Sequence, residues 1–473
     1  MPQPKNADQP EKYHDVESDH PLESSQPLEN QPVELTSTES GYGTDLKAPP
    51  APHLRARELL RDPLNFFLTL TRDYGDVVCY RSAPEPAYLI NHPDLVKQIL
   101  VDNNRNYTKE TYTNRAFKAV VSDGLLTSEG EVWRKQRRLM QPAFHQQRLA
   151  KFDAVITDAT EVMLDHWQEL FELHEPVYIA REMAALTLTI TTHILFGVDL
   201  GEDINLVGIA MDKGLALIEK PTHPDFIESL QIIDGIVKRI IAERRQAPDE
   251  TNDLLSILLH AQDEDTGEMM NDQQLRDQVF TLLLAGYETT ASALTWAWYL
   301  LSQNSEIVQQ IREEVEGVLQ DRTPTYADTL DLEYTLCVFK EVLRLYPSAW
   351  VLGRKAINAD RLGEYLIPAD GTLAISPYTL HRHLEFWDQP DIFDPSRFLP
   401  EASAHRHRFA YIPFGGGPRQ CIGNNLALLE AQLIISMVVR RFTLHLIDDH
   451  PIKPSAHFVL RPDRNILMEL EAV

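Results

Sequence analysis

The stretch from Asn271 to Gln303 limits the possible folds of this chain more than any other segment. Its periodicity predicts one helix of about nine turns at 3.6 residues per turn, with Asn271 or Asp272 placed to cap its start. The middle of that helix is apolar nearly all round, so no face of it suits water. It must therefore run through the core of a large body. The chain can supply one, with 473 residues of which 43% are hydrophobic. Within the apolar middle stands AGYETT, Ala285 to Thr290. A buried carboxyl beside a hydroxyl is costly unless something uses it, so Glu288 and Thr289 are candidate functional residues. The same pair breaks the longest apolar run, which then falls short of the roughly 18–20 residues of a membrane helix. No secretory signal is visible at the N-terminus, and no integral membrane anchor is expected.

From Leu54 onward the chain is mostly helical by period. Phe152 to Phe196, Asp225 to Arg245, Ser305 to Leu319 and Asp331 to Leu345 carry helical patterns, and a further helix runs from Cys421 to about Arg441. Gly75 to Cys79 and Ala87 to Ile90 read as short strands. Ala356 to Ser376 reads as a small sheet, and Leu380 to Pro413 as a proline-punctuated meander. Residues 1–48 are rich in Pro, Ser and acidic side chains and predict a disordered acidic tail, leaving residues 49–473 as the folded domain. Lys and Arg number 44 against 71 Asp and Glu, a net charge of −27. A chain so acidic repels nucleic acid overall, and no nucleic-acid partner is expected.

Near the end lies PFGGGPRQCIG, Pro413 to Gly423. It holds one of three cysteines, Cys79, Cys337 and Cys421, whose odd number and irregular spacing exclude a disulfide framework. A phosphate loop would need a Lys-Ser/Thr pair that is absent, and a thioredoxin-type site a second Cys. A cysteine nucleophile would need a nearby base. His405 and His407 lie upstream, but sequence alone does not place them. A metal thiolate is the fourth reading. Glycines would turn backbone N–H groups toward the sulfur, and the following helix would set its N-terminus on the anion, both lowering the thiol pKa. With one Cys, iron would need its other equatorial ligands from elsewhere, and haem supplies four nitrogens.

Phe414, Gly417, Arg419, Cys421 and Gly423 fill the pattern F-x-x-G-x-R-x-C-x-G, which resembles the haem-binding loop of the cytochrome P450 family. AGYETT resembles that family's oxygen-binding helix. The resemblance spans roughly residues 50 to 473. It implies the cytochrome P450 fold, mainly α with a small β-rich lobe, around haem b (iron protoporphyrin IX) with Cys421 as axial ligand. Ala285 and Gly286 would let the helix pass close over the porphyrin. Glu288 and Thr289 would deliver protons, with Thr289 also loosening the helix to make a groove for dioxygen. Trp133, Arg137, Arg354 and Arg419 match the family's propionate partners, while Phe414 would screen the sulfur and Gly423 would let the next helix start close by. Glu341 and Arg344 form E-x-x-R on one helical face, and with Arg397 of FDPSRF they match the set that locks the meander. Tyr112, Phe117, Val351, Leu352, Phe458 and Val459, with Ala285, would line an apolar substrate pocket. Arg115 is a candidate carboxylate anchor whose plainer reading is a solvent-facing loop residue.

The activity implied is insertion of one atom of dioxygen into a fatty-acid or terpenoid-like substrate. A peroxide-using or rearranging enzyme on the same fold is the alternative, and a haem-binding sensor without turnover is a third. Fifty-two residues follow Cys421, too few for a flavin or iron–sulfur domain. Electrons from NAD(P)H are therefore expected through a separate ferredoxin or flavodoxin and its reductase, docking on a positive patch of WRKQRR and RHR. A cytoplasmic location is expected.

Overall fold

The computed structural model describes residues 46–52, 56–81, 85–197, 201, 203–218, 220–246, 253–263, 267–447 and 450–473. The acidic tail expected over residues 1–48 lies outside the described residues up to position 45. Its end does not: the Lys47 N–H donates to the Glu364 carbonyl at 2.9 Å, and Lys47 bridges in parallel with Tyr365.

The longer helices in chain order are α1 (Pro63–Tyr74), α2 (Tyr112–Val121), α3 (Gly130–Met140), α4 (Asp153–Leu173), α5 (Ile179–Phe196), α6 (Asp203–Ala216), α7 (Pro224–Gln246), α8 (Asp272–Leu301), α9 (Ser305–Leu319), α10 (Glu333–Leu345) and α11 (Asn424–Arg441). The expected core helix is α8. Asn271 Oδ1 accepts from the Gln274 N–H at 2.9 Å and Gln274 Oε1 accepts from the Asn271 N–H at 3.0 Å, a capping box that fixes where α8 begins. Helices α5, α7, α10 and α11 all pack against it, which accounts for its lack of a polar face. The helical pattern from Phe152 to Phe196 divides into α4 and α5. His174, left-handed at φ 57°, ends α4, and a two-residue strand precedes α5.

The strands are short and segregated. They are β1 (Val77–Arg81), β2 (Pro86–Ile90), β3 (Tyr107–Thr108), β4 (Val177–Tyr178), β5 (Leu352–Ala356), β6 (Asp360–Leu362), β7 (Tyr365–Ile367), β8 (Thr372–Ile375), β9 (Phe442–Leu446), β10 (Pro454–Ala456), β11 (Leu460–Pro462) and β12 (Leu467–Ala472). The largest sheet has the order β1-β2-β8-β5-β3, parallel between β2 and β8 and antiparallel elsewhere. Side chains alternate across β2. Tyr88 and Ile90 join the cluster of Leu100, Phe409 and Ile412, while Ala87 and Leu89 join Phe66, Phe67 and Leu70 of α1. One face of this sheet therefore carries the segment leading into Cys421, and the other rests on α1. The architecture is mainly α with a small β-rich lobe, as expected. No helix among the described residues is long and apolar enough to cross a membrane.

Candidate active site

The loop ahead of α11 is held by its own backbone. Gly415 N–H donates to the Ile412 carbonyl at 2.9 Å, Gln420 N–H to Gly417 at 3.1 Å, and Cys421 N–H to Phe414 at 3.0 Å. Gly415 and Gly417 are left-handed, at φ 70° and 68°. A Cβ on Gly417 would also lie 1.9 Å from the Leu100 carbonyl oxygen, so no other residue fits there. Gly423 differs. A Cβ there would meet Phe144 at 3.9 Å, an ordinary contact, so the packing of the chain does not account for its smallness. Cys421 is surrounded by protein, yet its side chain keeps open surface. Burial pushes the Cys421 thiol up, and the Gly423 N–H and the Arg137 charge offset this only in part.

Helix α8 presents a second wall of open surface. Ala285 is exposed, and Leu282, Gly286 and Thr289 are half-buried, while the helix around them is buried. These positions recur every three or four residues and share one face. Gly286 has a further reason to be small, because a Cβ there would come within 3.0 Å of Thr191 Oγ1 on α5. Helix α8 is one helix from Asp272 to Leu301. Three of its carbonyls nonetheless accept from side chains. Thr289 Oγ1 donates to Ala285 at 2.7 Å, Thr187 Oγ1 to Tyr287 at 3.1 Å, and Ser348 Oγ to Thr289 at 2.7 Å. Glu288 does not share the Thr289 face, since neighbours in a helix point about 100° apart. Its carboxylate instead accepts from Arg461 Nε of β11 at 2.5 Å. Burial raises the pKa of Glu288, with Arg461 acting against the rise.

A cluster of cations lies between α3, β5 and the Cys loop. Arg354 is buried and donates to the Gly353 carbonyl at 2.8 Å. Arg419 stacks 3.9 Å over the Trp133 ring and donates to the Ser128 carbonyl and the Glu129 carboxylate at 2.8 and 2.7 Å. Arg137 donates to the Gln420 carbonyl at 2.9 Å, just ahead of Cys421. Sequence reasoning missed two members, for YTKET and TSEGE match no pattern. Lys109 donates to the Leu126 carbonyl at 2.5 Å, and the Glu129 carboxylate accepts from the Lys109 backbone N–H at 2.8 Å. Burial and the nearby Arg354 and Arg419 push the Lys109 ammonium down to about 7, and burial brings Arg354 down to about 10. Three cations, Arg354 buried and Lys109 and Arg419 half-buried, thus gather around one carboxylate.

The expected locking set is present. Arg344 Nε and Nη2 donate to Glu341 at 2.7 Å each, both side chains fully buried, and Arg397 Nε lies 3.5 Å from the same carboxylate. Of the pocket residues, Phe117 and Phe458 meet at 4.7 Å between ring centroids. Val459 is buried, and Leu352 would lie 3.8 Å from a Cβ on Gly415. Tyr112, first in α2, is 66% exposed, and Val351 packs against the Phe66–Phe67 cluster. Arg115 is exposed. The positive patch is largely answered by acids, with Arg134 paired to Glu131, Lys135 to Glu268 and Arg138 to Asp263. Arg406 turns inward, 4.2 Å over Trp387.

Comparison with known proteins agrees with this geometry. Cyclooctatin synthase of Streptomyces melanosporofaciens is 38% identical over 84% of this chain and 88% of its own length. Cyclooctat-9-en-7-ol 5-monooxygenase of the same organism is 35% identical over 82% and 86%. Pentalenene oxygenase of Streptomyces avermitilis is 30% identical over 88% and 94%. The crystal structure of the cytochrome P450DA heme domain superimposes with a TM-score of 0.84 at 25% identity, covering 90% of this chain and 98% of that one. The family model for cytochrome P450 matches residues 53–470, and the protein belongs to that family of haem monooxygenases.

Proposed function

We propose that this P450 oxygenates an apolar terpenoid skeleton, using electrons from NAD(P)H passed through a separate ferredoxin or flavodoxin and its reductase in the cytoplasm. The observation that carries the substrate class is the pair of relatives named for oxygenating cyclooctat-9-en-7-ol and pentalenene. Both names denote alkene skeletons with at most one hydroxyl. The aromatic pair Phe117–Phe458 and the buried Val459 offer the matching apolar surface. Arg115, the one carboxylate anchor the sequence offered for a fatty acid, is exposed. A groove of about 380 Å³ lined by Trp133, Arg134, Arg137, Arg138, Gln141 and Pro142 borders the Cys loop and is the proposed docking place for the electron donor.

Haem fits the residues present. Lys109, Arg354 and Arg419 exceed Glu129 in charge, and a haem brings two carboxylates that buried cations can hold. Cys421 would hold the iron, with Phe414 beside it and Gly423 leaving room. Trp133, Arg137, Lys109, Arg354 and Arg419 would hold the propionate side. Bound haem supplies the iron at which dioxygen is reduced. Ala285 and Thr289 lie on the open face of α8, so the Thr289 hydroxyl would hold a proton on that face, and Glu288 on the neighbouring face would be the acid that replenishes it.

Reconstitution with ferredoxin, its reductase and NADPH tests this reading. Cyclic terpene hydrocarbons are expected to shift the ferric spectrum and to yield products heavier by one oxygen atom. Long-chain fatty acids binding and turning over in preference to terpenes would contradict it.

A further inference from the structure

Glu288 is held from outside its own helix. The Leu460 carbonyl accepts from Ser292 Oγ and Trp296 Nε1, both at 2.7 Å, and the Leu460 N–H donates to Ser348 at 3.0 Å. These three bonds fasten β11 to α8 and the loop after α10, one residue before Arg461. Arg461 therefore meets Glu288 from a fixed backbone. Its other nitrogen, Nη2, lies 3.7 Å from Asp212 Oδ1 on α6, and the Tyr287 hydroxyl donates to that same oxygen at 2.9 Å. Glu288 is 4% exposed and Asp212 is 59% exposed. One guanidinium thus stands between a buried acid and an exposed one, on three elements distant in sequence.

We propose that Arg461 is a positioning residue for Glu288, and that Asp212 on α6 competes for its guanidinium and so sets how readily Glu288 is released toward Thr289. The inference rests on the reading of Glu288 as a proton-handling acid. A guanidinium does not relay protons, so Arg461 acts as a gate. While Arg461 is engaged, its charge favours the anionic form of Glu288. When Asp212 draws the guanidinium outward, the buried carboxyl loses its partner and takes up a proton. The charged and titratable groups around Glu288 are Arg461 from β11, Asp212 from α6 and Tyr287 from α8. Arg461 lowers the pKa of Glu288 and Asp212 raises it.

The test is an infrared pH titration of the Glu288 carboxylic-acid band, isolated by subtracting Glu288→Gln, in both haem-free and haem-loaded protein. Arg461→Gln is expected to move the titration to higher pH, Arg461→Lys to restore most of it, and Asp212→Asn to move it to lower pH. In turnover, Arg461→Gln is expected to lower product formed per NADPH about tenfold, short of the 10²–10⁴-fold that a positioned acid–base group supplies. Titrations of Arg461→Gln and Asp212→Asn that coincide with wild type would overturn the proposal. If Arg461→Gln does not fold, the exposed Asp212→Asn decides alone, and an unshifted band overturns it. Absence of product from wild type would count against the monooxygenase reading and leave the infrared result standing.

Discussion

Lys109 shows how a single residue can be wrong for the chain alone and right for the chain with its cofactor. An ammonium buried beside Arg354 and Arg419 is destabilising, since burial and like charge both oppose it. The fold pushes its pKa down to about 7 from the ordinary 10.5. Between those values the unfolded state binds more protons, so the haem-free protein gains stability as pH rises from about 7 toward 10. Two carboxylates from haem would reverse that balance. Lys109→Met is therefore expected to leave haem-free stability unchanged or higher at pH 7 and to flatten its rise with pH, while haem dissociates faster. Thermal melts across pH and haem transfer to an acceptor protein check both. Gly417 is the opposite case, fixed by the protein itself through its left-handed backbone and the Leu100 carbonyl 1.9 Å from any Cβ.

At the scale of elements, the Cys loop is positioned from behind by α10. Arg344 extends the pair with Glu341 into the meander, donating to His381, Pro390 and Ile392 carbonyls at 3.0, 2.6 and 3.0 Å. His381 continues the chain. Its Nδ1 faces the Arg344 carbonyl at 3.2 Å and its Nε2 accepts from the Ile412 N–H at 2.9 Å, one residue before Pro413. Burial brings the His381 imidazole down to about 3, so it stays neutral and can accept that bond. Glu341→Gln would leave Arg344 buried without its counter-charge, which costs about 3–5 kcal/mol. Expected are a denaturant midpoint lowered to match and partial loss of haem, although Glu341 touches no residue of the Cys loop. An unchanged midpoint would show that the neutral amide suffices. E-x-x-R made the Glu341–Arg344 pair legible, because ion pairs at i, i+3 follow from helix geometry, while the link to Arg397 of FDPSRF was legible only through the resemblance. His381 was not legible, since nothing in TLHRH says which ring is buried between two backbone groups.

Across the whole molecule, sequence carried the helices best where their period was long. The α8 segment was bounded to within two residues, because its cap and its apolar girth are local properties. Contacts between distant segments were not legible. Arg461 and Asp212 lie 173 and 76 positions from Glu288, and no pattern in either neighbourhood points to it. The run WRKQRR read as a positive surface, yet Lys135 and Arg138 find acids supplied by the fold, and Arg134 pairs with Glu131 one turn back. In the proposed reading a haem would unite the parts, with Cys421 holding its iron, the Ala285–Thr289 face of α8 opposite, and the nearby cations holding its carboxylates. The carbon monoxide difference spectrum of the reduced protein tests that account most directly, comparing wild type with Cys421→Ala. Wild type is expected to show the red-shifted Soret band of a thiolate-ligated haem, and Cys421→Ala to lose it. A wild-type spectrum without that band, or one that survives in Cys421→Ala, would contradict the account.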